Sequence, residues 1–340
     1  MKFWLFAFVM FLFLLSDSHH SSRFTVSFWG PFDAMTTITA YAISQQHFDF
    51  LTDMAITRFT ELSNYYDRFS ESGRIVNIAV LNHMAGHGAM PIANEVFDLL
   101  AFAQNGAQRT ENLVLPTFGT VTELWRKQIK RSQNGLGTPP ESAALKKAAQ
   151  WVSPTLMRLD KTNSTVTLLS PDVQLDLGAV AKGFATELVG RELIAAGLSR
   201  LAISSGGNIR VFSPPVGKRS WNIGVQNPDS AIMSDDDAVV TLSSAYFSVA
   251  TSGDYQRFFW YNNKRYHHLI EPSTLYPAQY YRSVTVACQN AGEADLFSSA
   301  LFLADWGKST AIAEKEQIAA LWIFLDGTVK MNARMEKFLQ

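Results

Sequence analysis

Three short stretches of this chain carry residue types that can act on a ligand together. In LDLGAVAKGFATELV, Leu175–Val189, a strand-like run passes through two glycines and a lysine into an amphipathic helix. Gly178 and Gly183 would let the backbone approach a ligand, the new helix offers unpaired N–H groups, and Lys182 adds a point charge, a set that favours a phosphate. The same pattern also suits an ordinary strand-to-helix turn with a solvated lysine. In GEADLFSSAL, Gly292–Leu301, Asp295 and Ser299 stand four residues apart, so on a helix their oxygens share a face and can hold one hard cation such as magnesium. An aspartate at a helix start can equally be a cap. The third stretch joins VATSGDYQRFF, Val249–Phe259, to RYHHLIEP, Arg265–Pro272. It combines the hydroxyls and glycine of Thr251, Ser252 and Gly253 with a histidine pair before a rigid Glu-Pro turn. Adjacent strand residues point to opposite faces, so His267 and His268 make a poor metal pair; one faces a cavity, the other core or solvent.

The elements that must position these residues follow from periodicity. Phe24 to Ile43 reads as an opening strand. Phe48, Leu51, Ala55, Phe59, Leu62 and Tyr66 recur at helical spacing and predict a helix with one buried face. A second helix is expected from about Glu95 to Gln104, capped by Asn94, and a surface excursion without apolar period over about 126–142. A hairpin turning at Lys161–Ser164 precedes the lysine turn, whose helix should end near Gly197. Strands are expected over Leu201–Val211, Trp221–Val225, Ala238–Leu242 and Tyr281–Ala287. A helix after Asp295 and a hairpin at Asp326–Gly327 close the chain. The fold class expected is α+β, one domain over 23–340 with an appended lobe.

Composition narrows the field. The 340 residues are 47% apolar and 17% charged, enough for a substantial core, and 29 basic against 30 acidic residues give no field that would gather nucleic acid. Residues 1–22 read as a signal peptide or N-terminal anchor: Met1, Lys2, an apolar run from Phe3 to Leu15, then a polar stretch. That run is shorter than a spanning helix needs, which favours export. Cys288 is the single cysteine, so no intramolecular disulfide and no thiolate cluster can form, and it is expected to be a small buried hydrophobe.

In this order and at these separations, the three stretches resemble the signature of the ApbE family of FAD:protein FMN transferases. Further similar blocks are SNYYDRFSESGRIVN (Ser63–Asn77, with Ser63, Tyr65, Ser70, Glu71, Arg74 and Asn77 on recurring positions), LPTFGTVTELW (Leu115–Trp125), SSGGNIRVF (Ser204–Phe212) and WNIGVQNP (Trp221–Pro228). The resemblance covers about residues 30–310. It implies a T-fold-like core of mixed sheet with packed helices. It also implies Mg2+ held by Asp295, Ser299 and the backbone carbonyl of Ala179, with FAD, the substrate, beside Lys182. Met35, Tyr65, Gly178 and Gly183 would line the flavin nucleotide, together with Ser252, Gly253 and His268. Asp295 and His268 are the implied catalytic residues, His268 as acid or base near the diphosphate.

The reaction implied is transfer of FMN to a Ser or Thr hydroxyl of an exported acceptor protein, with release of AMP, in the periplasm or on the periplasmic face of the inner membrane. FAD storage without chemistry, or FAD hydrolysis to FMN and AMP, are the alternatives. Several positions depart from the family pattern. Ser299 stands for threonine, Glu271 for aspartate, Leu115 for aspartate, and Leu275 for a glycine, so the turn at Leu275 is expected to lack the same backbone freedom. Trp125, Arg126 and Lys127 replace a Trp-Gly-Phe-Gly tail.

Overall fold

The computed structural model describes residues 21–230 and 237–340. The segment read as an export signal lies outside the described residues, apart from the start of the first strand. Two strands open the chain where the sequence suggested one: β1 (Ser22–Trp29), which alternates half-buried and exposed side chains, and the largely buried β2 (Met35–Ala42). Between them the chain turns through Phe32 and Asp33, both with positive φ. The predicted long helix is α1 (Gln45–Tyr66), which buries Phe48, Leu51, Ala55, Phe59, Leu62 and Tyr66, the periodic set. Then follow α2 (Ile78–His83), β3 (Ala89–Pro91) and α3 (Asn94–Arg109). Ala93 precedes α3 with no side-chain cap, so Asn94 is its first residue and not the cap expected.

The expected surface excursion is in part helical: α4 runs Gly119–Ser132 with Lys130 and Arg131 at its negative end, and α5 spans Ser142–Ala149. Strands β4 (Met157–Asp160) and β5 (Thr165–Leu168) form the hairpin expected around Lys161–Ser164. Next come α6 (Ala181–Ala195), closed by Gly197 at φ 111°, then β6 (Leu201–Ser205) and β7 (Asn208–Phe212). The single strand read over Leu201–Val211 is thus a hairpin. Gly206 and Gly207, at φ 54° and 90°, make its two-residue turn, a backbone that side chains with a Cβ resist.

The remaining elements are β8 (Trp221–Gln226), β9 (Ala238–Ser244), β10 (Phe247–Gly253), β11 (Phe258–Tyr261), β12 (Lys264–His267) and β13 (Tyr281–Cys288). The chain closes with α7 (Ala291–Phe302), α8 (Trp306–Lys315), β14 (Ala319–Phe324), β15 (Val329–Met331) and the short α9 (Ala333–Glu336). Eight strands form one sheet in the order β1-β2-β6-β7-β10-β13-β14-β15, every pair antiparallel. The α+β class holds.

Both faces of this sheet are covered, and the strands record it. On β14, Ala320 and Trp322 enter the main core, packed with α1, α6 and α7, while Ala319, Leu321 and Ile323 enter a second core with Trp221, Leu242 and Met335. Period-two alternation between two apolar faces requires this pattern. A third cluster, around Trp125, Leu145, Phe259 and Ile270, joins α4, α5 and the β11–β12 hairpin into the appended lobe.

Candidate active site

Helices α6 and α7 cross where their backbones touch. A Cβ built on Gly183 would lie 2.2 Å from the Ala291 carbonyl and 2.6 Å from Asp295 Cβ, so glycine is what permits the approach. The open side of Gly183 is therefore filled by α7 and not left for a ligand, which corrects the role its spacing suggested. Its amide donates to Asp295 Oδ2 at 2.9 Å. A regular turn would send that N–H to the Ala179 carbonyl; that carbonyl takes no backbone hydrogen bond among the described residues.

Asp295 is not a cap. The side chain of Asn290 caps α7 by accepting from Glu293 N, which leaves Asp295 a turn inside the helix, 6% exposed. Burial raises its carboxyl above the usual range, against the pull of the Lys182 ammonium, the Gly183 amide and the Asn208 side chain. One turn on, Ser299 is buried, and its Oγ lies 3.2 Å from Ser252 Oγ on β10, which in turn lies 3.0 Å from Ser298 Oγ. Ser252 thus joins the Asp295–Ser299 face through hydroxyls. Gly253 does not open onto it, because the Tyr255 ring fills the space where its Cβ would stand, 2.4 Å away.

The Gly206–Gly207 turn covers Lys182. A Cβ on Gly206 would meet Lys182 Cδ at 3.5 Å, and the Gly206 amide donates to the carbonyl of Met35, itself 40% exposed at the start of β2. Gly178 is exposed just before α6, in a turn built by Asp176, whose Oδ1 accepts from the Gly178 amide at 2.9 Å. Asp176 is gripped by Arg68 and by Thr122 Oγ1, and Arg68 also donates to the Gly119 carbonyl, so two distant segments set this turn. The Arg68 guanidinium and these bonds offset burial and hold the Asp176 carboxyl below the usual range. Arg68 and Asp176 escaped the sequence reading, though both lie inside blocks that it quoted. Tyr65 is half-buried in the last turn of α1 against the main core, and no described hydrogen bond joins it to the Asp295 group.

The two histidines have opposite surroundings, as alternation requires. His267 is buried, edge-on to Phe302, with Nε2 2.8 Å from the Ala278 carbonyl. His268, just past β12, is half-buried, with Nδ1 3.3 Å from the Arg257 carbonyl. That contact assigns the Nδ1–H tautomer and leaves Nε2 as an acceptor. Burial, followed by the charges of Arg257, His267 and Lys182, pushes His268 down to about 3, so it is neutral at pH 7: a base in form, not an acid.

The oxygens gathered here suit a small hard cation. Among the described residues no group of three or more His, Cys, Asp or Glu comes together, and the implied set needs one such residue. A buried carboxylate short of counter-charge, the Ser299 hydroxyl and the orphaned Asn208 Oδ1 are the hard oxygen chemistry that Mg2+ takes, with phosphate oxygens or water completing its shell. A groove of 430 Å³ between α1 and α6, lined by Phe50, Met54, Val189 and Leu193, shares none of these residues.

The model of the ApbE family matches residues 32–322, most of the described chain. The protein belongs to the ApbE family. Among its relatives, the FAD:protein FMN transferase of Treponema pallidum is 31% identical over 271 residues, 75% of this chain and 73% of that one. The FAD:protein FMN transferase of Klebsiella pneumoniae is 27% identical over 268 residues, 78% of this chain and 80% of that one. The crystal structure of the ApbE protein from Thermotoga maritima superposes with a TM-score of 0.81, covering 94% of this chain and all of that one, at 24% identity. The chain therefore has the overall fold of the ApbE proteins.

Proposed function

We propose that this protein is a magnesium-dependent FAD:protein FMN transferase that moves FMN from FAD to a Ser or Thr hydroxyl of an exported acceptor protein and releases AMP. The observation that carries this reading is the convergence of Lys182, the Gly183 amide, Asp295 and Ser299 on one helix crossing, in a chain whose curated relatives bear that name. Asp295, Ser299 and the Ala179 carbonyl would hold the metal, which when bound neutralises the diphosphate and the charge growing on the leaving phosphate. Lys182 supplies a second positive charge to the same phosphates. The Gly178 turn, fixed by Asp176 and Arg68, is exposed just before the lysine turn. As the acceptor oxygen bonds to the FMN phosphorus, the bond to the bridging oxygen breaks and its electron pair leaves on AMP. The acceptor proton passes to neutral His268.

Export and association with the periplasmic face of the inner membrane rest on residues 1–22. Among the described residues no helix is long and apolar enough to cross a membrane. Fractionation of cells expressing the full chain tests that location.

The chemistry is tested by incubating the protein with FAD, magnesium and a carrier bearing a Ser or Thr acceptor segment. AMP and flavin are then followed, the flavin as covalent fluorescence on a denaturing gel. Equal AMP and flavinylated carrier, both lost with a chelator, is the expected result. AMP without a labelled carrier would make the protein a hydrolase, and intact FAD would make it a binding protein.

A further inference from the structure

The α6–α7 crossing is tied twice, one helical turn apart. In the first tie the Gly183 amide of α6 donates to Asp295 of α7, with Asn208 of β7 alongside. In the second the roles reverse. The Ala291 amide of α7 donates to Glu187 Oε2 of α6 at 2.9 Å, and Arg210 of β7 places Nε 2.8 Å from the same oxygen. Gly183 and Glu187 are four apart on one helix, Ala291 and Asp295 four apart on the next, and Asn208 and Arg210 two apart on the strand, so each pair shares a face.

We propose that Glu187, locked by Arg210, is a positioning residue for this site: it sets the height of α7 against α6 so that Asp295 meets the Gly183 amide and the lysine turn. Arg210 is wholly buried, its guanidinium 4.1 Å and 4.0 Å from the Phe212 and Tyr246 ring centroids and hydrogen-bonded to the Val211 carbonyl. A charge so placed is costly unless paired, so it demands an ionised partner at a fixed place. Glu187 meets that demand with one carboxylate and spends the remaining capacity on Ala291 and on the exposed Arg191. Asn290 already caps α7, so the Glu187 bond acts between helices and is not needed to start one. A slip of about one residue rise along α7, roughly 1.5 Å, would carry Asp295 beyond hydrogen-bond reach of Gly183.

The proposal rests on the magnesium reading only for what Asp295 holds, so its test has a metal-free arm. In Glu187→Met/Arg210→Met both charges leave together and apolar groups of similar volume replace them. In Glu187→Gln/Arg210→Met the acceptor for the Ala291 amide returns without the charge. Hydrogen exchange of the segment containing Gly183, without metal or FAD, is expected to quicken severalfold in the first variant and to return to parental values in the second. The magnesium concentration for half-maximal transfer should rise about tenfold in the first and recover in the second, as when an outer partner of a metal ligand is lost and restored. Leu193→Ala, in the same helix and core, lowers stability without touching either tie and should leave that concentration unchanged. Parental protection of the Gly183 segment in Glu187→Met/Arg210→Met, failure of the glutamine variant to rescue, or an equal shift in Leu193→Ala would overturn the proposal. A parent protein with no magnesium response would refute the preceding reading, and the exchange arm would still decide this one.

Discussion

Asp295 is a carboxylate that the fold holds against its own stability. Burial raises its pKa above the unfolded value, so at neutral pH the unfolded chain gives up that proton more readily than the folded one, and ionised Asp295 costs the metal-free protein stability. Asp295→Asn is therefore expected to raise the metal-free thermal midpoint by a few degrees while abolishing magnesium-dependent AMP release. A lower midpoint, read by scanning calorimetry, would mean that the charged bond to Gly183 outweighs burial. His268 has the opposite acid behaviour. Its pKa is depressed to about 3 from about 6.5, so the stability it contributes as a neutral ring is complete above the unfolded value and drains away as pH falls toward 3. His268→Gln should flatten the fall of the thermal midpoint between pH 7 and pH 4, and the parent's kcat/KM should show no histidine limb between pH 5 and pH 9. Lys182, Asp295 and Ser299 were legible in the sequence because each pair sits within a turn or a helix face. Arg68, Glu187 and Asn208 were not, because their partners lie far along the chain: 108 residues separate Arg68 from Asp176, and 104 separate Glu187 from Ala291.

At the scale of elements, the turn after β12 departs most from expectation. Leu275 was expected to deny it the freedom of glycine, yet the residue adopts φ 65°, the left-handed backbone that glycine favours. The turn is held there from several sides. The Leu275 amide donates to the Glu271 carbonyl at 2.8 Å, its own carbonyl accepts from Trp125 Nε1 at 2.9 Å, and Glu271 gathers the hydroxyls of Ser273, Thr274 and Tyr280. Leu275 carries a conformational cost of about 1–2 kcal/mol that these contacts offset. A β-branched side chain fits this backbone worse, so Leu275→Val should lower the thermal midpoint by about 2–4 °C for each further kcal/mol, with transfer activity retained. An unchanged midpoint would show that the turn relaxes freely. Trp125, read as part of a departure from the family pattern, is the buried residue that ties α4 to this turn. Periodicity revealed α1 because its apolar face is continuous. It missed the last turns of α4, since beyond Trp125 the helix shows mostly Lys, Arg and Gln to solvent and only Ile129 reaches the lobe's core.

At the scale of the whole molecule, strand identities could be read from alternation, but their neighbours could not. Turn signals gave hairpin partners such as β4 and β5, but alternation reports which faces are buried, not which strand lies alongside, and four ladders join strands that are not consecutive in the chain. The clearest case is the pairing of β2 with β6, where Thr36 and Ser205 share a hydroxyl contact at 2.9 Å across 169 residues. This has a kinetic consequence. Until Ser205 has been synthesised, β2 has only β1 as a sheet partner, and a lone hairpin is marginal in water. Closing so long a loop before any contact rewards it makes folding slow. A fragment ending at Leu198 is therefore expected to show no hydrogen-exchange protection in Ser22–Ala42; protection there would refute this order of assembly. On this order of assembly the eight-stranded sheet cannot begin to extend beyond its first hairpin until more than half of the chain has been made.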